Sequence, residues 1–164
     1  MWPSRFVGGQ SLRRALQVNP GVVRALGRIV GFEIFVQWFA NGNPASVAFA
    51  DVLAPFGPAV ELQEEAGFRV RYGPNEDCYV YARRDAHGQV ARITVKRPCS
   101  DPALWDGIVK VMRLGHSVCY WPGEACATSD SQVLDHLPRD MAGGLPRTTV
   151  VEDGPALMRL VKAS

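Results

Sequence analysis

Residues 68–121 read FRVRYGPNEDCYVYARRDAHGQVARITVKRPCSDPALWDGIVKVMRLGHSVCYW and carry the clearest secondary-structure signals of the chain. Residues 68–72 alternate apolar and charged side chains at period two, as a strand with one buried and one solvated face requires. Residues 78–83 and 90–96 are rich in β-branched and aromatic side chains, and segments typical of turns separate the three stretches. The pattern predicts a three-stranded antiparallel meander over residues 68–97.

A helix is predicted directly after the meander. Asp101 can accept hydrogen bonds at a helix N-terminus, and Pro102 suits the first helical position because its missing N–H has no partner there. Apolar side chains then recur three and four residues apart, which is the spacing of one buried helix face. They are Leu104, Trp105, Ile108, Val111 and Met112. A strand over residues 117–121 follows, so residues 90–121 form a predicted strand-helix-strand unit with a right-handed crossover.

Weaker signals flank this segment on both sides. Residues 32–39 favour a strand because of their β-branched and aromatic content, although a helix would show the same short apolar run. Residues 11–30 favour two short helices, the second with Arg24 and Arg28 four residues apart on a face away from its apolar side chains. The remaining predicted elements are a turn at 41–44, helices at 46–56 and 129–137, a helix from 154, and strands at 60–62 and 148–151.

Length and composition indicate one globular domain over residues 1–164, with 47% hydrophobic and 21% charged residues. We expect an α+β fold: an antiparallel sheet of about four to six strands, with helices mainly on one face. The apolar stretch at 29–40 is interrupted by Glu33 and Gln37 and is too short to span a bilayer. Since no signal peptide is recognisable either, we expect a cytoplasmic protein with reduced cysteines and no membrane partner.

The net charge of +2 is small, which is untypical of a dedicated polyanion binder. The meander nevertheless has a predicted basic outer face, which Tyr79 and Tyr81 could flank. Its candidate partner-binding residues are Arg69, Arg71, Arg83, Arg92 and Lys96. Such a face could dock an acidic protein or stack and pair with single-stranded nucleic acid. The plainer alternative is a set of solvated charges paired across the sheet or with the acidic segment at 61–65.

A second candidate site lies between residues 116 and 136. Four potential zinc ligands follow the spacing H-x2-C-x6-C-x9-H, namely His116, Cys119, Cys126 and His136. They supply the nitrogen and sulfur donors that zinc prefers, but the spacing matches no standard zinc motif. The same cysteines could act as nucleophiles, with a histidine as base and Asp135 or Asp140 orienting it. Packed thiols and ordinary histidines are the alternative for both hypotheses.

No motif in the chain is specific to one function. We therefore expect a non-enzymatic protein-binding module without cofactor or metal, such as a bacterial accessory, regulatory or toxin-neutralising (immunity-type) protein. The basic outer face would bind an acidic partner. The alternative from another class is a small cysteine- or zinc-dependent hydrolase centred on residues 116–136, and nucleic-acid binding is a third hypothesis.

Overall fold

The computed structural model describes residues 32–123, 125–145 and 147–164. The predicted helices over residues 11–30 lie outside the described residues. The described chain has a mixed α+β architecture built on one large, mainly antiparallel sheet, which confirms the predicted fold class. Within these residues the large sheet has nine strands, more than the sequence indicated.

The strands are β1 Glu33–Ala40, β2 Asn43–Ala45, β3 Val47–Ala48, β4 Val60–Glu64, β5 Gly67–Gly73, β6 Glu76–Tyr81, β7 Gln89–Val90, β8 Arg92–Lys96, β9 His116–Tyr120, β10 Ala125–Thr128 and β11 Arg147–Val150. The helices are α1 Phe49–Leu53, α2 Pro102–Met112, α3 Val133–His136, α4 Arg139–Ala142 and α5 Gly154–Lys162, and a 3-10 helix spans Ala54–Ala59.

Strand β1 lies in the interior of the sheet, whose order is β11-β10-β9-β1-β8-β6-β5-β4, with β2 paired to β1. It pairs antiparallel with both β8 and β9, so β8 and β9 run in the same direction on either side of it. Helix α2 joins these two strands, as the predicted strand-helix-strand unit requires. Strands β5, β6 and β8 form the predicted antiparallel meander.

A tight turn follows β1. Asn41 and Gly42 have φ values of 50° and 79°, and Ala40 pairs with Asn43 across them. Positive φ at both central residues is the requirement of a two-residue type I′ hairpin, which glycine meets without steric cost. The structure thus confirms both the predicted turn and the choice of a strand for residues 32–39.

The main core lies between one face of the sheet and helices α2 and α5. Ile34 and Val36 of β1, Leu104 and Ile108 of α2, and Leu157 of α5 are all 0% exposed. Both helices have an aspartate N-cap. The Asp101 carboxylate accepts a hydrogen bond from Ala103 N at 2.8 Å, and the Asp153 carboxylate accepts one from Ala156 N at 2.7 Å. This confirms the cap and the apolar stripe that the sequence indicated for α2.

Three local predictions were wrong. Ser46 does not begin a helix, because Val47 pairs with Val90 in a separate two-stranded sheet and α1 starts only at Phe49. Pairing Val90 to this second sheet also divides the predicted strand at 90–96 and leaves Ala91 exposed. Helix α3 is much shorter than the predicted helix at 129–137, and Asp130 rather than Ser129 accepts a hydrogen bond at its start, from Gln132 N at 2.9 Å.

Among the described residues, α3, α4 and the adjoining loop cover only part of the second face of the sheet. A smaller apolar cluster lies there, formed by Phe39, Val118, Cys126, Val133, Leu137 and Met141. On β5, β6 and β8 the side chains that point to this face are exposed or half-exposed instead. We call this region the open face and define it by Arg69, Arg71, Tyr79, Tyr81, Arg92 and Lys96.

No helix in the described ranges is both long enough and apolar enough to cross a bilayer.

Candidate functional site

Strand register arranges the side chains of the open face in rows. Arg69 of β5 lies opposite Tyr79 of β6, and Tyr79 lies opposite Lys96 of β8. A neighbouring row runs from Tyr81 through Thr94, Phe35 and Tyr120. Because side chains alternate along a strand, the residues between these positions point into the main core, and Val70, Val80 and Val95 are all 0% exposed. The buried valines therefore fix the direction of the charged and aromatic side chains.

The structure places four of the five predicted partner-binding residues on this one face. Arg69, Arg71, Arg92 and Lys96 all occupy outward positions of the meander strands. Arg83 is exposed but lies beyond the end of β6 and belongs to no strand. The candidate surface thus consists of four cations rather than five.

Carboxylates from neighbouring strands pair with three of these cations. Arg69 Nη2 lies 3.1 Å from Asp77 Oδ2, and Arg71 Nε lies 3.3 Å from Glu61 Oε1. Lys96 Nζ lies 3.8 Å from Glu33 Oε1. The paired side chains are between 32% and 44% exposed, and pairs so open to water contribute only about 0–1 kcal/mol each. They lower the positive potential of the face without holding its side chains rigidly.

The guanidinium groups still have unused donors. Arg69 Nε is buried and has no hydrogen-bond partner within the described structure. Glu61 Oε2 lies 3.8 Å from this nitrogen, which is too long for a hydrogen bond. Glu61 is moreover shared between Arg69 and Arg71. Since each guanidinium carries five N–H groups, further acceptors can bind without displacing the existing ones.

Aromatic rings lie between the cations. Tyr79 and Tyr81 are in contact with their ring centroids 4.5 Å apart, and Lys96 Nζ lies 5.5 Å from the Tyr81 centroid. Phe35 and Tyr120 stack nearby, with centroids 5.1 Å apart and ring planes 14° from parallel. Tyr81 is 40% exposed. The sequence did not determine to which face of the sheet the two tyrosines point. The structure shows that both point to the open face.

Tyr79 is also tied to the edge of the sheet. Its hydroxyl donates a hydrogen bond to Glu64 Oε2 at 2.7 Å. Desolvation, with the hydrogen bond to the Glu64 carboxylate as the next cause, raises the pKa of Tyr79 to about 12. The ring is therefore a neutral donor at physiological pH and links β6 to β4.

The four potential zinc ligands do not converge. His116 and Cys119 point to opposite faces of β9, and Cys119 is 0% exposed in the main core. Cys126 lies in the smaller cluster, with Sγ 3.3 Å from Thr148 Oγ1. Burial raises the pKa of both thiols. Within the described ranges no group of three or more histidine, cysteine, aspartate or glutamate side chains could hold a metal ion.

The two histidines of that set do come together. The rings of His116 and His136 stack with centroids 3.5 Å apart and planes 8° from parallel. His116 Nδ1 is hydrogen-bonded to Asp130 Oδ2, while His136 Nδ1 accepts from Asn41 N at 3.4 Å. We call His116, Asp130 and His136 the histidine cluster. It ties α3 to β9 and to the turn after β1.

Asp130 was not a candidate from the sequence, which pointed to Asp135 or Asp140 as the carboxylate beside a histidine. A hydrogen bond from Gln132 N, followed by the one from His116, lowers the pKa of Asp130. The carboxylate stays ionised and orients the imidazole, as in the general base of a hydrolase. Cys119 and Cys126, the proposed nucleophiles, lie in the two apolar clusters instead. The described residues therefore contain the oriented histidine that a cysteine hydrolase needs, but neither Cys119 nor Cys126 is placed to act as its nucleophile.

No protein family, curated protein or solved structure matches this chain. The described residues define an α+β protein whose sheet is packed by helices on one side and partly open on the other.

Proposed function

We propose that this protein is a non-enzymatic binding module that docks an acidic protein on its open face, in an accessory, regulatory or toxin-neutralising role. The observation that carries the proposal is the placement of Arg69, Arg71, Arg92 and Lys96 on one face, interleaved with Tyr79 and Tyr81. Tyrosine and arginine are the residue types that recur at energetically dominant positions of protein interfaces.

The unused guanidinium donors favour carboxylates as the partner's contacting groups. A planar guanidinium can bind a carboxylate through two parallel N–H bonds, which are stronger than bonds between neutral groups. The Arg69 and Arg71 side chains are each 39% exposed, so their remaining outward N–H groups are accessible to such a carboxylate. The exposed Tyr81 ring offers apolar contact area beside it at a low cost in conformational entropy.

The charge balance distinguishes a protein partner from nucleic acid. The four cations are accompanied by four carboxylates, Glu33, Glu61, Glu64 and Asp77, which pair with the cations or with Tyr79. These carboxylates would repel the continuous row of phosphates in a nucleic acid. The separate acidic side chains of a protein can instead contact individual guanidinium groups and avoid the carboxylates. Single-stranded nucleic acid remains the second candidate, because outward-pointing tyrosines beside basic residues are the arrangement on which bases stack.

Matched charge-neutralising variants test the proposal. The open-face variant combines Arg69→Gln, Arg71→Gln and Lys96→Gln. The control removes the same number of charges from exposed positions of α2 and α5 through Lys110→Gln, Arg159→Gln and Lys162→Gln. Tagged proteins are expressed in the native cell, and co-purifying proteins are quantified by mass spectrometry at low and moderate salt.

We expect one or a few acidic proteins to co-purify with the wild type and with the control variant, and to be reduced at least about tenfold for the open-face variant. Equal recovery from all three proteins would contradict the proposal. A fluorescent single-stranded oligonucleotide, titrated at low salt, tests the second candidate. Tight binding that the open-face variant loses, without any co-purifying acidic protein, would favour nucleic acid instead.

A further inference from the structure

Two of the four cysteines lie next to each other where β6 meets the segment that precedes α2. Tyr79 pairs with Lys96, so the antiparallel register sets Cys78 level with Arg97, just past the end of β8. Arg97 has a φ of 50°, a left-handed conformation that redirects the chain. Cys99 follows two residues later. Its backbone N–H donates to the Cys78 sulfur, and the Cys78 thiol in turn donates to the Cys99 sulfur.

Cys99 is held in this position by its neighbours. Trp105 Nε1 donates to the Cys99 carbonyl at 2.9 Å. The Glu76 carboxylate accepts from Ser100 N at 3.0 Å and from Ser100 Oγ at 3.1 Å. The same carboxylate accepts a hydrogen bond from the Cys99 thiol. The segment around Cys99 is thus anchored both to α2 and to β6, which holds the Cys99 sulfur beside Cys78.

Within the described residues, an open cavity leads from solvent to this thiol pair. Cys99 is half-buried and lines an open cavity of about 250 Å³ together with Phe32, Trp105 and Lys162. Cys78 lies behind it and is 5% exposed. An oxidant would therefore meet Cys99 first, and Cys78 would be the thiol that completes the reaction.

The other two cysteines provide an internal comparison. Cys119 and Cys126 belong to adjacent strands, but Cys119 points into the main core and Cys126 into the smaller cluster on the opposite face. A disulfide needs the two Cβ atoms directed towards each other at about 4 Å. A bridge between Cys119 and Cys126 would require the strands to unpair.

We propose that Cys78 and Cys99 are a disulfide modification site that reacts with low-molecular-weight disulfides of the glutathione type. The Cys99 thiol loses its proton to solvent, and its thiolate sulfur attacks one sulfur of the small disulfide. One small thiolate leaves and takes up a proton. The Cys78 thiol then loses its proton to solvent and attacks the Cys99 sulfur, and the second small thiolate leaves. Two protein thiols are oxidised, and one small disulfide is reduced to two thiols.

The site does not depend on the proposed docking function, because Cys78 points to the core side of β6 and not to the open face. Desolvation raises the pKa of Cys78 to about 12 and also raises that of Cys99. Because the thiolate is the reacting species, the bridge should form slowly at neutral pH and about tenfold faster for each unit of pH up to about 9.

The test uses the folded full-length protein incubated with oxidised glutathione, followed by alkylation, digestion and mass spectrometry. We expect a peptide pair joined through Cys78 and Cys99, a mass loss of two hydrogens, reversal by dithiothreitol and the stated dependence on pH. Cys119 and Cys126 should stay reduced, and they should react with the alkylating reagent only after the protein is denatured. The double variant Cys119→Ser, Cys126→Ser should form the same bridge at the same rate, provided that its circular dichroism spectrum matches the wild type.

Three results would overturn the proposal. They are a stable glutathione adduct on Cys99 without transfer to Cys78, a bridge that includes Cys119 or Cys126, and four free thiols after prolonged oxidation at pH 9. The variant Cys78→Ser separates the two steps, because it should stop at the glutathione adduct on Cys99. If that variant is as resistant to glutathione as Cys99→Ser, Cys99 is not the entry point.

Discussion

Replacing Gly154 by alanine tests how helix α5 is seated on α2. The backbone N–H of Gly154 donates to Asp106 Oδ1 at 3.0 Å, so α5 begins in direct contact with α2. A Cβ added at Gly154 would lie 2.6 Å from the carbonyl carbon of Trp105 and closer still to the backbone nitrogen of Asp106. Carbon atoms in contact are normally about 3.5–4.0 Å apart. Helix α5 would have to move away from α2 to admit the methyl group.

The expected cost follows from three contributions. Overpacking a tight contact costs about 1–3 kcal/mol, and weakening the hydrogen bond to Asp106 adds about 1 kcal/mol. The higher helix propensity of alanine offsets at most about 1 kcal/mol of this destabilisation. Gly154→Ala should therefore lower the free energy of unfolding by about 2 kcal/mol, which corresponds to a fall in Tm of about 4–8 °C for a chain of 164 residues.

Urea unfolding followed by circular dichroism measures this difference. Gly57→Ala is the matched control, because a Cβ there would meet no heavy atom within 4 Å. We expect the control to stay within about 0.5 kcal/mol of the wild type. If Gly154→Ala unfolds at the same urea concentration as the control, α5 does not pack against α2 as described.

Three further variants test local features of the structure. Because the pKa of Asp130 is lowered in the folded state, its carboxylate stabilises the protein above the unfolded value of about 3.9, and this stabilisation is lost as the pH falls through the folded value. Asp130→Asn should accordingly be less stable than the wild type at pH 6, with a gap that closes below about pH 4, and a gap of constant size in urea titrations would contradict this reasoning. Tyr79 keeps its proton up to a pKa of about 12 when folded, so the wild type should lose stability as the pH rises from about 10, more steeply than Tyr79→Phe. Identical slopes of unfolding midpoint against pH would show that Tyr79 is not involved. Asp101→Ala should cost about 1 kcal/mol through the lost bond from Ala103 N at 2.8 Å, and an unchanged urea midpoint would show that the cap contributes nothing.

The parts of the fold that were predicted correctly depend on local patterns. Period-two alternation identified β5, and a cap followed by an apolar stripe identified α2, because neighbours in sequence determine both features. The errors arose where a distant segment decided the outcome. Val47 and Ala48 became a strand only because β7 lies beside them, and nothing near Ser46 in the sequence reports that pairing.

The same distinction applies to the candidate sites. Alternation within the strands predicted that Arg69, Arg71, Arg92 and Lys96 would share a face. It could not predict their carboxylate partners, since Glu33 lies on β1 and becomes a neighbour of Lys96 only through the register of two strands far apart in sequence. Strand geometry argues against the zinc set from the sequence alone, because His116 and Cys119 are three residues apart and point to opposite faces of one strand.

Site-specific photo-crosslinking is the most direct test of the docking surface. Tyr81, which is 40% exposed on the open face at the end of β6, is replaced by p-benzoylphenylalanine. Lys110, exposed on α2, receives the same replacement as the control. After irradiation in the native cell, we expect position 81 to give a discrete crosslinked product with an acidic protein and position 110 to give none. If position 81 yields no product, or only products that position 110 also yields, the open face is not a docking surface.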